Sequence, residues 1–448
     1  MRRIAMNRGA RVAFTDLALP RRASDPRART LLVAAVLLLA AAGCQRQLMA
    51  TPNLYARATD NPFVNVPPAY QTNLVEVVYA TDRVRVDHNP DEPRYGCGRS
   101  KSLAAGSCTV ALGRDVSWAA LVAASRTAHR RGSFPLNVGT CCETVHFPEV
   151  PAAVLGADGR PVDPPDFAAT QTAAEQALQS LLCARLALTP RKEAYVYIHG
   201  VGCDFDDSAC VIAELWHFLG RQGVPVLYTW PAGHSGLLGY AYDRESGEFT
   251  VFHLKQFLRT LAACPDLQRV HILAHSRGAD VLTTALRELN IAYRAAGKDT
   301  REALKLGNIV LAAADLDIEV ASQRLAAEKL QAVYERLTIY LSEDDKAISI
   351  ADWLFSSIRR LGQLRPSDLT PAQIEGLAVF DRLQLIDARV TTDLLGHSYF
   401  YESPAVSSDL ILLLRDDRAA GTDCGRPLIR RRDNFWEIRD DYPRYAGN

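Results

Sequence analysis

From residue 194 onward, short apolar runs alternate along the chain with longer amphipathic segments, and that alternation leaves few folds open. The runs Ala194–Ile198, Val224–Thr229, Val270–Ala274, Ile309–Ala313, Leu337–Leu341 and Leu383–Asp387 are too short for helices. Their continuous apolar character suits strands buried on both faces. Helical spacing fills the intervals over Ser208–Gln222, Val251–Ala263, Gly278–Ala295 and Ala321–Tyr334, and a last apolar helix is expected over Ser407–Leu414. Parallel strands need long crossovers, so the pattern predicts an α/β fold: a mostly parallel sheet with helices on both faces. Upstream, Leu74–Ala80 and Ser107–Leu112 alternate with period two and predict two more strands. Gly-, Arg- and Pro-rich stretches read as loops up to about Pro165, followed by helical spacing from Phe167 to Leu188.

At 448 residues the chain holds one large domain with appendages. Apolar residues at 48% and charged residues at 23% lie near the globular average, so neither a disordered chain nor a polytopic membrane protein is indicated. Lys plus Arg and Asp plus Glu balance at 51 each, and no basic run is interleaved with aromatics. Nucleic acid is therefore not expected as a partner.

The N-terminus reads as a targeting segment. Arg-rich residues lead into the apolar stretch Leu31–Gly43, too short for the roughly 20 residues that span a bilayer, and then to Cys44. The run Ala41-Ala-Gly-Cys resembles a bacterial lipobox, with Ala41 where Leu is commonest. This predicts a signal peptide over 1–44, acylation of Cys44, and membrane attachment at the cell envelope. An ordinary cleaved signal or an uncleaved anchor is the alternative. Gln45 resembles outer-membrane sorting, and the long polar stretch before Leu31 leaves room for a start codon downstream of Met1.

Residues 45–70 lack periodicity and suit a tether, order is expected from near Asn73, 71–415 form the main domain, and the Arg- and Asp-dense 416–448 form a surface tail. Nine cysteines remain, an odd number. Cys97/Cys108 and Cys203/Cys210 are candidate disulfides in an oxidising compartment, with buried free thiols as the alternative.

The chemistry concentrates at Arg269-Val-His-Ile-Leu-Ala-His-Ser-Arg-Gly-Ala-Asp, where a strand runs through Ala274-His-Ser-Arg-Gly into a helix. A serine on so sharp a turn needs tiny residues two before and two after it, and Ala274 and Gly278 supply them. This strand–turn–helix context resembles the nucleophile elbow of the α/β-hydrolase fold, with Ser276 as nucleophile. The alternative is a helix N-cap serine. In that fold one oxyanion N–H comes from a loop after an earlier strand and the other from the residue after the nucleophile. His199-Gly-Val-Gly after Ala194–Ile198 makes Val201 and Arg277 the candidates, with His199 as a buttress.

The fold's order of Ser, acid, His selects His397, because of ten histidines only that one follows Ser276. The acid belongs on a loop between them. Leu337-Thr-Ile-Tyr-Leu-Ser-Glu-Asp-Asp offers Asp344 and Asp345, with Asp315 and Asp317 after the preceding strand as competitors. Asp345 is the favoured member.

The ordered set His199-Gly, Thr229-Trp-Pro-Ala-Gly, Tyr242-Asp-Arg, Ala274-His-Ser-Arg-Gly, Ser342-Glu-Asp-Asp-Lys-Ala and Gly396-His-Ser-Tyr-Phe resembles a bacterial α/β-hydrolase family of unknown physiological function. The similarity runs over about residues 70–415 and includes Tyr79-Ala-Thr-Asp-Arg. In that family the acid follows a Tyr-x-Ser run, which matches Tyr340-Leu341-Ser342 and points to Asp345. Departures are Val201-Gly202, and Arg277 where Met is common.

The resemblance implies an ester or lipid-like ester as substrate, cleaved through an acyl-enzyme without a cofactor. Thioester or amide hydrolysis, a peptidase or acyltransferase with the same residues, and a catalytically silent scaffold remain as alternatives. No phosphate loop, metal-ligand cluster or dinucleotide fingerprint occurs. The Gly-rich, aromatic stretch Trp230–Phe249 and the run Trp353-Leu-Phe are candidates for an acyl pocket or lid, with buried packing as the alternative.

Overall fold

The computed structural model describes residues 46–58, 61–86, 93–234, 236–343, 345, 360–392 and 396–444. Cys44, Asp344 and Trp353-Leu-Phe lie outside them. The strands are β1 (Leu74–Arg85), β2 (Tyr95–Leu112), β3 (Leu136–His146), a small hairpin β4 (Val154–Leu155) and β5 (Pro161–Val162), β6 (Glu193–Ile198), β7 (Val224–Thr229), β8 (Arg269–His275), β9 (Leu306–Ala312), β10 (Arg336–Leu341), β11 (Leu383–Arg389), β12 (Ile429–Arg430) and β13 (Phe435–Arg439).

All but the small hairpin form one eleven-stranded sheet in the order β12-β13-β11-β10-β9-β8-β6-β7-β1-β2-β3. Strands β1, β6 through β11 and β13 run parallel, while β2, β3 and β12 are antiparallel at the edges. This is the α/β-hydrolase fold, with every expected strand of the parallel core present within a few residues of its predicted bounds.

The parallel strands bury both faces. In β6, Ala194, Val196 and Ile198 join one apolar layer, and Tyr195 and Tyr197 join the other. Helices α1 (Phe167–Leu186), α3 (Gly236–Ala262) and α4 (Gly278–Ala295) cover the first layer. Helices α2 (Phe205–Phe218) and α5 (Pro404–Leu410) cover the second. In α1 the buried Ala174, Leu178, Leu182 and Leu186 recur every fourth residue, the spacing that keeps one face against the sheet.

From β6 the chain moves outward to β7, then returns to place β8 on the other side of β6. The strand order therefore reverses at the β6/β8 boundary, the position where open α/β sheets leave a crevice beyond the strands' carboxyl ends.

Several expectations are corrected. Residues 46–70 are not a free tether: Leu48, Met49, Tyr55, Phe63 and Val66 are buried. The buried Glu214 of α2 accepts the Met49 N–H at 2.7 Å and the Arg46 guanidinium at 2.8 Å. The segment is irregular, so its single anchors leave no periodic trace. Residues 416–444 are not a surface tail, because β12 and β13 extend the sheet and Phe435 and Ile438 enter the core.

Strand β3 and a helix over Trp118–Ser125, capped by Ser117, occupy a stretch expected as loop. Helix α3 begins at Gly236, well before Val251, so much of the Gly-rich rim is helical. Ala321–Tyr334 is not one helix but a short helix over Ile318–Ser322, a π turn and a 3₁₀ turn, interrupted at Lys329 with φ +59°.

Neither disulfide pairing holds. Cys97 and Cys108 share strand β2, where a rise of about 3.3 Å per residue separates them far beyond the roughly 7 Å Cα limit of a bridge. Cys203 donates its thiol to the Val201 carbonyl, Cys210 is buried on α2, and both are free.

Candidate active site

Ser276 sits between the last residue of β8 and the first turn of α4. Its φ is +53°, a left-handed conformation that costs a non-glycine residue roughly 1–2 kcal/mol and persists only where the surroundings fix it. Here the Ser276 N–H donates to the Ala312 carbonyl at 2.9 Å, and its own carbonyl accepts from Ala279 and Asp315 at 3.1 and 3.2 Å. Two glycines make room. A Cβ on Gly278 would stand 2.5 Å from the His199 carbonyl oxygen, and one on Gly200 would stand 2.6 Å from Ser276 Cβ and 3.1 Å from Oγ. The loop after β6 is thus pressed against the serine across the β6/β8 boundary.

His397 lies on the loop before a short helix at Tyr399. Its Nδ1 is 2.7 Å from Asp345 Oδ2, and the Asp345 side chain is fully buried. A carboxylate accepts, so Nδ1 donates in this bond, and in the neutral ring that tautomer makes Nε2 the acceptor. The His397 ring packs 4.6 Å from that of His275, the neighbour of Ser276, and His275 Nε2–H donates to the His397 carbonyl at 3.2 Å. Burial, with His397 beside it, pushes His275 well below the usual histidine range, so it acts as a neutral donor.

The competing acids are engaged elsewhere. Asp315 accepts from Tyr240 Oη at 2.5 Å and lies 3.3 Å from Arg360 Nε, and Asp317 caps the Ile318–Ser322 helix through the Val320 N–H at 2.9 Å. The Arg277 side chain turns into α4, pairing with Asp280 at 2.8 Å. The backbone N–H of Arg277, the residue after Ser276, opens α4 beside the serine. Val201 is half-buried between Gly200 and Gly202, the latter with φ +70°.

The loop carrying Val201 is held by two residues with no role assigned from sequence, Asp243 and Arg83. The buried Asp243 of α3 gathers the N–H groups of Gly202 at 2.9 Å and Gly233 at 3.0 Å through Oδ2, and His234 Nδ1 at 2.6 Å through Oδ1. Arg83, the last residue of Tyr79-Ala-Thr-Asp-Arg, donates to the Cys203 carbonyl at 2.7 Å, the Ala232 carbonyl at 2.6 Å and Thr229 Oγ1 at 2.8 Å. Burial lowers its guanidinium to about 10.

Arg83 also donates to His199 Nε2 at 3.2 Å, as does the Trp230 N–H at 3.1 Å. With Nε2 an acceptor, Nδ1–H must donate to the Gly200 carbonyl at 2.8 Å. Burial, reinforced by Arg83, keeps His199 neutral, its pKa pushed well below the usual range. His199 is a buttress. Arg83 and Asp243 stand in motifs visible in the sequence, yet their contacts cross from β1 and α3, which spacing does not reveal.

A family model described as "Alpha/beta hydrolase of unknown function" (DUF900) matches residues 174–415, a stretch that runs from α1 past α5 and includes Ser276, Asp345 and His397. A search of curated proteins finds no match. The match covers more than half of the chain and brings with it a hydrolase-type function. The chain belongs to the DUF900 family of alpha/beta hydrolases.

Proposed function

We propose that this hydrolase cleaves a carboxylic ester or lipid-like ester through an acyl-enzyme, with Ser276 as nucleophile, His397 as general base and then acid, and Asp345 as its partner. The observation that carries the reading is the buried Asp345 carboxylate 2.7 Å from His397 Nδ1, with that imidazole packed beside the strained elbow.

His397 Nε2 takes the Ser276 proton as Oγ attacks the carbonyl carbon, and the imidazolium is stabilised by Asp345. The oxygen that becomes negative is received by the backbone N–H groups of Val201 and Arg277, held by the Asp243 and Arg83 network. The imidazolium then protonates the leaving alcohol. Water, deprotonated by His397, releases the acid and regenerates Ser276. The chain's own residues supply every group in this sequence.

A fluorophosphonate probe should label the wild type at Ser276 and leave Ser276→Ala unlabelled at unchanged stability, with loss of short-ester hydrolysis. Equal turnover in the variant would reject the serine mechanism. We further propose that Cys44 is acylated and anchors the hydrolase at the cell envelope, as the Gly43-Cys44 junction suggests. A palmitate analogue should label wild type and not Cys44→Ser, and a released, unlabelled wild type would contradict this.

A further inference from the structure

Away from the site, two sulfurs stand closer than thiols rest. Cys183 of α1 and Cys264, just past the end of α3, place their Sγ atoms 2.6 Å apart. Non-bonded heavy atoms settle roughly 3.5–4 Å apart. A disulfide bond is about 2.05 Å long.

The backbones that hold the pair are fixed independently of the sulfurs. Cys264 donates its N–H to Leu261 at 3.1 Å, and its carbonyl accepts from Lys305 Nζ at 2.8 Å and the Leu267 N–H at 3.3 Å. Cys183 is half-buried on α1 beside the buried Leu182, packed against the core, and its carbonyl accepts the Ala187 N–H at 2.9 Å. Bonding therefore needs a shift of the two side chains by a fraction of an ångström, without movement of either helix.

We propose that Cys183 and Cys264 are a modification site, oxidised by a disulfide-exchanging oxidant to a structural bridge that joins α1 to the end of α3. Cys183 is the half-buried member and Cys264 the buried one, whose thiol burial pushes up to about 11. Cys183 thus reacts first. With oxidised glutathione, the Cys183 thiolate attacks one sulfur and expels a glutathione thiolate, leaving a mixed disulfide. Cys264 passes its proton to that thiolate, attacks Cys183 Sγ and expels the second glutathione as a thiolate, which takes up the proton that Cys183 gave to water on ionising. Two protein thiols are oxidised, one glutathione disulfide is reduced to two thiols, and protons and electrons balance.

The partners lie 81 positions apart in sequence, so the bridge closes a loop holding β6, α2, β7 and α3. Cross-linking so long a segment restricts the unfolded chain strongly. Cys264 precedes β8 whereas Ser276 follows it, so the bridge forms at the opposite end of the strand from the elbow. Stability should respond to it, and the chemistry at Ser276 should not.

The test uses the folded full chain incubated with oxidised glutathione, alkylated without reduction, and mapped by proteolysis and mass spectrometry. A peptide pair linked through Cys183 and Cys264 is expected, with a Tm several degrees above that of Cys183→Ser and Cys264→Ser handled identically, and with fluorophosphonate labelling of Ser276 unchanged. Alkyl groups on both cysteines, or glutathione retained on Cys183 with Cys264 free, would overturn the bridge. A linked pair with no gain in Tm over the serine variants would overturn its structural role.

Discussion

At Gly200 the space a side chain would take is already filled by Ser276, whose Cβ lies 2.6 Å from where an alanine methyl would stand. The loop must retreat to admit it, and the Val201 N–H retreats with the loop. Gly200→Ala is expected to keep the fold while lowering kcat/KM about 100-fold or more, since a displacement near 1 Å costs that much at a reacting centre. Ester turnover alongside a thermal melt checks this, and unchanged turnover would detach the loop from the chemistry. For Asp345→Asn the shape survives but the charge supporting the imidazolium is lost, so kcat should fall on the order of 10⁴. Comparable activity in that variant would exclude Asp345 as the partner of His397. Ser276 and His397 stand out in the sequence as candidates because the elbow is local and only one histidine follows it. Choosing among Asp315, Asp317 and Asp345 was harder, since all follow strands. Spatial partners separate them: Tyr240 and Arg360 for Asp315, a helix end for Asp317, and His397 for Asp345. His275 hid in the variable position of the elbow motif, where a buried donor and a surface residue look alike.

Among the elements, the buried strands were legible because continuous apolar runs persist where both faces are covered. Strand β3 was not. It lies at the sheet edge with an exposed face, and Gly139, Thr140 and Glu143 dilute its pattern. The start of α3 was obscured by Gly236 and Gly239, which suggest a loop until Tyr240 and Asp243 are seen bonded to neighbouring segments.

The C-terminal strands escape a reading of the sequence for another reason: their dense charge resembles that of an exposed tail. Arg426 is fully buried, clamped on Asp409 of α5 by bonds of 2.8 and 2.6 Å, and Tyr340 and Tyr442 donate to the same carboxylate at 2.6 Å each. Arg426→Met should leave a buried carboxylate without its cation and cost about 3–5 kcal/mol, measured as a shift in the urea midpoint. Asp409→Asn in the same chain should recover part of it. A midpoint that stays put would show the pair to be dispensable.

On the scale of the molecule, His199, His217 and His275 are each held well below the usual histidine range, first by burial and then by neighbouring cationic or imidazole groups. Folded, they stay neutral where the unfolded chain takes up protons below its ordinary value near 6.5. Their contribution is therefore complete above that pH and lost as pH falls below it, by up to about 1.4 kcal/mol per pH unit for each histidine. Urea midpoints should decline steeply between about pH 6.5 and pH 5. A flat profile there would contradict the neutral assignments.

The first and last described segments also meet. Asn53 donates to the Asp440 and Tyr442 carbonyls at 2.8 Å, and Arg57 donates to those of Asp441 and Pro443 at 2.8 and 3.1 Å. The seam therefore cannot zip until residues 440–443 have left the ribosome, 387 positions after the Asn53 that bonds to Asp440, so the N-terminal segment of the nascent hydrolase waits for its partner through the synthesis of the whole sheet core.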